Sequence, residues 1–200
     1  MKKLIAIIVA FVVLAVGAKA LLDSQSKSAF EQSTLDKPVV SEQVDEVEVE
    51  QTNKETPAIE VYDMDGNKKT FEDFKNKPIL INFWSSRCTP CKEEMPAFQK
   101  AYEKYKDDYH FVMISAIGAL GETEKSAKKF IEKNNYTFPV YLDSDYTSQM
   151  NFGIYSIPTT FILHPDLTIL RGQMGMVPED ALMTALDAVL QEVNKEKEQA

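Results

Sequence analysis

Two cysteines, Cys88 and Cys91, stand three positions apart in the stretch INFWSSRCTPCKEEMP (residues 81–96), and the chain of 200 residues has no others. A pair at this spacing can exchange disulfides, provided that something stabilises the attacking sulfur as a thiolate. Thr89-Pro90 places a proline at the expected first helical position, which sets Cys88 at a helix N-terminus where free amides and the dipole favour negative charge. Arg87 adds a cation if its side chain folds back. Cys91, one turn further in, is expected beneath Cys88 as the resolving thiol, and the Cys88 sulfur is expected to be exposed and held as an anion.

Other chemistries compete for the pair. A lone structural staple would close a very small loop and constrain the unfolded chain little. Zinc normally takes four ligands, and there is no second CxxC. The two histidines, His110 at a strand entrance and His164 at a hairpin, read as solvated or hydrogen-bonded imidazoles, so no metal site is assigned. Copper(I), content with two soft thiolates, stays open as an alternative.

The elements that must position these residues run from Ala58 onward. IEVYDMDGNKKTF reads as a hairpin turning at Asp65-Gly66 or Gly66-Asn67. PILINFW is continuously apolar apart from Asn82, as befits a strand buried on both faces. Phe98, Ala101, Tyr102 and Tyr105 repeat at helical spacing, which predicts a helix over 90–106 with Pro96 as a kink. FVMISAI is a second buried strand and TEKSAKKFIEKNN a second helix facing inward with Ala127, Phe130 and Ile131. FPVYLD can add a short strand. TTFILHPDLTILRG is a hairpin around Pro165-Asp166. PEDALMTALDAVLQEV is a terminal helix with the stripe Leu182, Ala185, Leu186, Val189, Leu190 and Val193. The order β-β-β-α-β-α-β-β-α gives an α/β class: a central mixed sheet with helices on both faces.

The formal charge of -9 argues against nucleic acid as a partner, and the acidity is concentrated in residues 23–60, with ten acidic and three basic side chains. MKKLIAIIVAFVVLAVGAKA opens with two lysines and continues with an uncharged run from Leu4 to Ala18. This is an export signal in form, readable equally as a cleaved signal peptide or a retained membrane anchor over 1–22. No cysteine follows it, so a lipoprotein anchor is excluded. Residues 23–57 cannot bury enough apolar surface to offset their ordering entropy and read as an acidic flexible linker. The folded domain is expected over 58–194, with 195–200 as a disordered tail. The expected location is therefore extracytoplasmic.

NFWSSRCTPCKEEMP together with the later YSIPTTFIL resembles the exported thioredoxin-like thiol-disulfide oxidoreductases of the TlpA/ResA type, over about Ala58 to Val193. The marks are Trp84 before the first cysteine, Pro90 inside the CxxC, Pro96 after it, and Ile157-Pro158-Thr159 in the place of the family's cis-proline loop. The resemblance implies a thioredoxin fold with an N-terminal hairpin extension and an inserted α/β segment, here between Ile117 and Tyr146. It also implies a cis bond between Ile157 and Pro158, packed on the disulfide and offering backbone hydrogen bonds to an incoming peptide. Thioredoxins proper carry a buried aspartate where this chain has Asn82, which cannot exchange a proton. The exported family instead has a glutamate three residues after the second cysteine, here Glu94, whose burial would raise its pKa and fit it to take the Cys91 proton. Glu93 reads as a solvated helix charge. Arg87 departs from the aromatic common at its position, so partner specificity does not carry over.

These expectations assign Cys88, Cys91 and Glu94 as catalytic, and Trp84, Arg87, Ile157 and Pro158 as substrate-binding, with no cofactor required. The partners expected are thiols or disulfides of exported proteins, an upstream membrane electron donor, and a membrane reached through the N-terminus. A reductase, including one for apocytochrome c haem-binding cysteines, competes with an oxidant, a copper(I) carrier and a tethered scaffold with a vestigial pair. A peroxidase is disfavoured because RCTPC lacks a Pro-x-x-x-Thr-x-x-Cys setting.

Overall fold

The computed structural model describes residues 56–199. The expected leader over 1–22, and the linker apart from residues 56 and 57, lie outside them. Strands β1 (Val61–Asp63) and β2 (Lys68–Lys69) form the expected hairpin. Its turn is closed by the Asp63 carboxylate, whose Oδ1 accepts from the amides of Asp65 at 3.0 Å and Asn67 at 2.8 Å. Gly66 takes the positive φ of 87° that this turn demands.

After a 3-10 turn over Phe71–Phe74 come β3 (Ile79–Trp84), α1 (Thr89–Tyr105), β4 (His110–Ser115), α2 (Glu124–Asn134) and β5 (Val140–Leu142). Then follow α3 (Thr147–Asn151), β6 (Thr159–Leu163), β7 (Ile169–Met174) and α4 (Glu179–Gln199). The seven strands make one mixed sheet in the order β2-β1-β5-β4-β3-β6-β7. β3 lies at its centre, parallel to β4 and antiparallel to β6, so Asn82 faces Met113 on one side and Thr160 on the other.

Every residue of β3 is buried, as its unbroken apolar run requires. Its alternate side chains enter two separate cores. Leu80 and Trp84 join the cysteines, Phe98, Phe111, Leu182 and Leu186 beneath the long helices α1 and α4, with Ala127 of α2. Ile79, Ile81 and Phe83 pack on the other face against Phe71, Phe74 and Phe152. The helical cover is thus unequal: three helices guard the side of the cysteines, while the 3-10 turn and the short α3 close the other. Each fully buried side chain of this size contributes about 1.5–3 kcal/mol.

Two elements depart from the expected order. FPVYLD does yield β5, and the five-residue α3 comes as an addition, too short to show a helical period. Side chains fix it instead. Asp143 accepts from the Ser148 and Gln149 amides at 3.1 and 2.8 Å, which satisfies free donors at the helix start. Ser148 is buried and bonds both the amide and the carbonyl of Glu60. The terminal helix also runs on to Gln199, through the residues expected as a disordered tail, because nothing in NKEKEQ breaks helix. Among the described residues no helix is long and apolar enough to cross a membrane.

Candidate active site

β3 delivers the chain to the site. Past Trp84 the backbone turns through Ser85, Ser86 and Arg87, with the Cys88 amide donating to Ser85 O at 3.1 Å. Cys88 is the N-cap of α1: its backbone is extended (φ -91°, ψ 118°), and its sulfur accepts from the Cys91 amide at 3.3 Å. Pro90 is the second helical residue, one position later than expected, and still occupies a site where no intrahelical donor is lost. Cys88 and Cys91 are bonded to each other, with Cα atoms 5.2 Å apart.

The expectation of an exposed Cys88 sulfur is corrected. In the disulfide the residue keeps 4% of its surface and Cys91 keeps none. The cover on one side is the Ile157-Pro158 segment, whose peptide bond is cis as the resemblance implied. The Ile157 carbonyl oxygen lies 3.7 Å from Cys88 Sγ. Pro158 is buried and its carbonyl accepts from Gly175, so the segment is tied to the chain leaving β7. The Ile157 amide has no acceptor among the described residues. Ile157 itself is half-buried, whereas Tyr155 just before it is 82% exposed.

Glu94 sits one helical turn beyond Cys91 on the same face and is 2% exposed. Burial pushes its pKa up from 4.5 to about 7, against the opposing pull of two hydrogen bonds. Those bonds come from the Val177 amide to Oε2 at 3.0 Å and from Asn82 Nδ2 to Oε1 at 2.9 Å. Asn82 Nδ2 also donates to Thr160 Oγ1 at 3.0 Å, while Asn82 Oδ1 has no partner among the described residues. A carboxyl poised near neutrality beneath a dithiol can both take and return a proton.

Trp84 cannot touch a partner, contrary to its expected role in binding. It is 0% exposed, packed on Phe130 with ring centroids 5.6 Å apart, and therefore supports the site from below. Arg87 is exposed and makes no ion pair with a described residue; only its amide is engaged, donating to Ser85 Oγ at 3.1 Å. Glu93 is exposed, as read from the sequence. The histidines sit elsewhere: His110 Nε2 meets Lys75 O at 3.1 Å, and His164 lies between Asp166 and Glu196. Among the described residues no three His, Cys, Asp or Glu side chains gather in a form that would hold a metal ion.

Sequence reasoning missed Glu122. This carboxylate, 2% exposed, accepts from Ser85 Oγ at 2.8 Å, from Ser86 Oγ at 2.9 Å and from the Ser86 amide. On its other side it accepts from Ser126 Oγ and from the Thr123 amide. Burial alone would raise its pKa, but the hydrogen bonds from Ser126, Ser85 and Ser86 outweigh it and hold the group below 4.5. The one available signal was Thr123-x-x-Ser126, a helix-start pattern that puts the preceding residue at the helix mouth.

Comparison with known proteins agrees with this geometry. The AhpC/TSA family model matches residues 52–171. "Thiol-disulfide oxidoreductase ResA" of Bacillus thuringiensis subsp. konkukian is 33% identical over 129 residues, 64% of this chain and 73% of that protein. "Thioredoxin-like protein YneN" of Bacillus subtilis is 29% identical over 137 residues, 68% of this chain and 79% of that one. The crystal structure of StoA from Bacillus subtilis superposes with a TM-score of 0.56 at 26% identity, over 64% of this chain and 94% of that one. With its bonded CxxC pair at the head of α1, the chain belongs to the AhpC/TSA family, among the thioredoxin-like thiol-disulfide oxidoreductases of the ResA type.

Proposed function

We propose that the protein works outside the cytoplasm as a reductant of disulfides in exported proteins, held at the membrane or released from it according to the fate of its N-terminal segment. The export-type leader supports the location, because exported proteins are where disulfides form and persist. The reductive direction rests on the family resemblance, which also nominates the haem-binding cysteines of apocytochrome c as one partner class. An upstream membrane donor of electrons would return the pair to its dithiol form.

In the forward reaction the Cys88 thiolate attacks one sulfur of the partner's disulfide, forms a mixed disulfide and releases the partner's first thiolate. Cys91 then gives its proton to the Glu94 carboxylate and attacks Cys88 Sγ. The Cys88–Cys91 bond closes, the partner's second sulfur leaves, and two electrons have passed to the partner. Ile157 and Pro158 dock the partner's backbone beside Cys88, while Arg87 stands exposed next to the first cysteine, placed to meet acidic residues of the partner. No bound cofactor enters this scheme. The observation that carries it is the combination of a disulfide capping a helix with a buried carboxyl, of pKa about 7, one turn further along.

The test is Cys91→Ser in the native cell envelope, which strands partners on Cys88 as mixed disulfides that a reductant releases. Recovery of haem-maturation proteins or of general exported proteins identifies the partner class. Absence of any adduct, combined with a wild-type pair that resists reductants, defeats the reading.

A further inference from the structure

Glu122 belongs to the segment between β4 and α2, far in sequence from the cysteines, yet it receives three donors from the two residues that lead into the Cys88 turn. Those residues could have been held by neutral groups at less desolvation cost, since burying a carboxylate is expensive unless it is fully hydrogen-bonded. Here both oxygens are satisfied, and the clamp ends two residues from the nucleophilic sulfur.

We infer that Glu122 is a positioning residue of the redox pair: its carboxylate locks the Ser85-Ser86 turn that presents Cys88, and its negative charge disfavours the Cys88 thiolate and so biases the pair toward giving up electrons. The inference rests on the exchange function proposed above and assigns its direction a physical cause. Reduction of the Cys88–Cys91 bond consumes two electrons and two protons, supplied by a donor dithiol that itself becomes a disulfide. Whatever destabilises the thiolate product lowers the pair's potential. The helix N-terminus acts in the opposite sense, stabilising the anion. Other charges near the pair are Arg87 on the same turn, Lys92 and Glu93 exposed just beyond Cys91 on α1, and Glu94 buried one turn beyond Cys91. The Gly153–Pro158 segment adds only Tyr155, and Gly175–Pro178 adds no titratable group. Glu122 is thus the buried charge bonded directly to the Cys88 turn.

The test uses the full chain with its pair reduced, and measures the pH midpoint of Cys88 alkylation in wild type, Glu122→Gln and Ser126→Ala. Removing the charge in Glu122→Gln lowers the midpoint by about one pH unit. Above the midpoint, that tenfold change raises the potential by about 30 mV against a reference dithiol. Ser126→Ala keeps the charge and removes one donor at a distance from the cysteines, so its midpoint moves upward. An unchanged midpoint and potential in a folded Glu122→Gln protein overturn the inference. If that variant does not fold, a downward shift in Ser126→Ala overturns it equally. The alkylation midpoint is read without any partner protein, so loss of exchange activity with every disulfide tested would sink the proposed function and leave this result standing.

Discussion

Replacing Glu94 by Gln in the oxidised protein isolates the energetic cost of the buried acid. An acid whose pKa is higher in the folded chain than in the unfolded one binds its proton more tightly when folded. The stability so contributed is complete below pH 4.5 and is lost as the pH rises through about 7. From 4.5 to about 7, at roughly 1.36 kcal/mol per unit, the loss amounts to about 3 kcal/mol. A glutamine side chain in this place has no such titration. Its amide meets the Val177 and Asn82 donors less well, but Asn82 can turn its unpartnered Oδ1 toward it, and this cost does not vary with pH. The assay is urea unfolding of both proteins, disulfide intact, at several values from about pH 4 to about pH 8, a span that brackets both ends of the titration. All other titrations are shared and cancel in the difference. The Glu94→Gln variant should gain on wild type by about 3 kcal/mol across this range, almost all of it between about pH 4.5 and 7.5. A difference that stays constant with pH would refute a neutral-range Glu94 and with it the proton-handling step.

Further outcomes follow from the same contacts. In the reduced protein, Glu94→Gln should slow disulfide reduction about 10²-fold, and the inflection near pH 7 should vanish from the pH–rate profile of insulin reduction. Trp84→Ala should cost about 3–5 kcal/mol of unfolding free energy in urea titration, and Trp84→Phe distinctly less, because it also removes an indole N–H that has no partner among the described residues. Gly118→Ala should cost about 1–2 kcal/mol by the same measurement. Its added Cβ would stand 2.5 Å from the half-exposed Tyr146 ring, which can swing away, so the remaining cost is the φ of 85° and a Tyr146→Ala background should not restore it.

What the sequence made legible was whatever depends on local pattern or on side chains close along the chain. The unbroken apolar run of β3, the stripe of α4, the Gly66 turn and the Cys88 helix cap all follow from neighbours within a few residues. The cis bond at Pro158 and the burial of Glu94 were reached through resemblance, since nothing in SIPTT or CKEEMP alone separates Glu94 from Glu93. The cover that Ile157 lays over Cys88 was likewise reached only through resemblance, because it comes from a residue 69 positions away, and how fully it hides the sulfur was not legible. Glu122 escaped for a similar reason: GALGE reads as a polar lead-in to the helix TEKSAKKFIEKNN, and only the parallel pairing of β3 with β4 brings its carboxylate to Ser85 and Ser86. The helix α3 owes its existence to Asp143 and to the Ser148–Glu60 link across the sheet, neither of which leaves a periodic trace.

The bond from the Val177 amide to Glu94 has a mechanical corollary. Val177 immediately precedes Pro178, the residue leading into α4, and its neighbour Gly175 grips the Pro158 carbonyl. The start of the last helix, the Ile157-Pro158 segment beside Cys88 and the Glu94 carboxyl therefore share one short strip of main chain. Loosening that strip would shift the acidity of Glu94 and the shape of the cis-proline segment together, so a change in one carries over to the other.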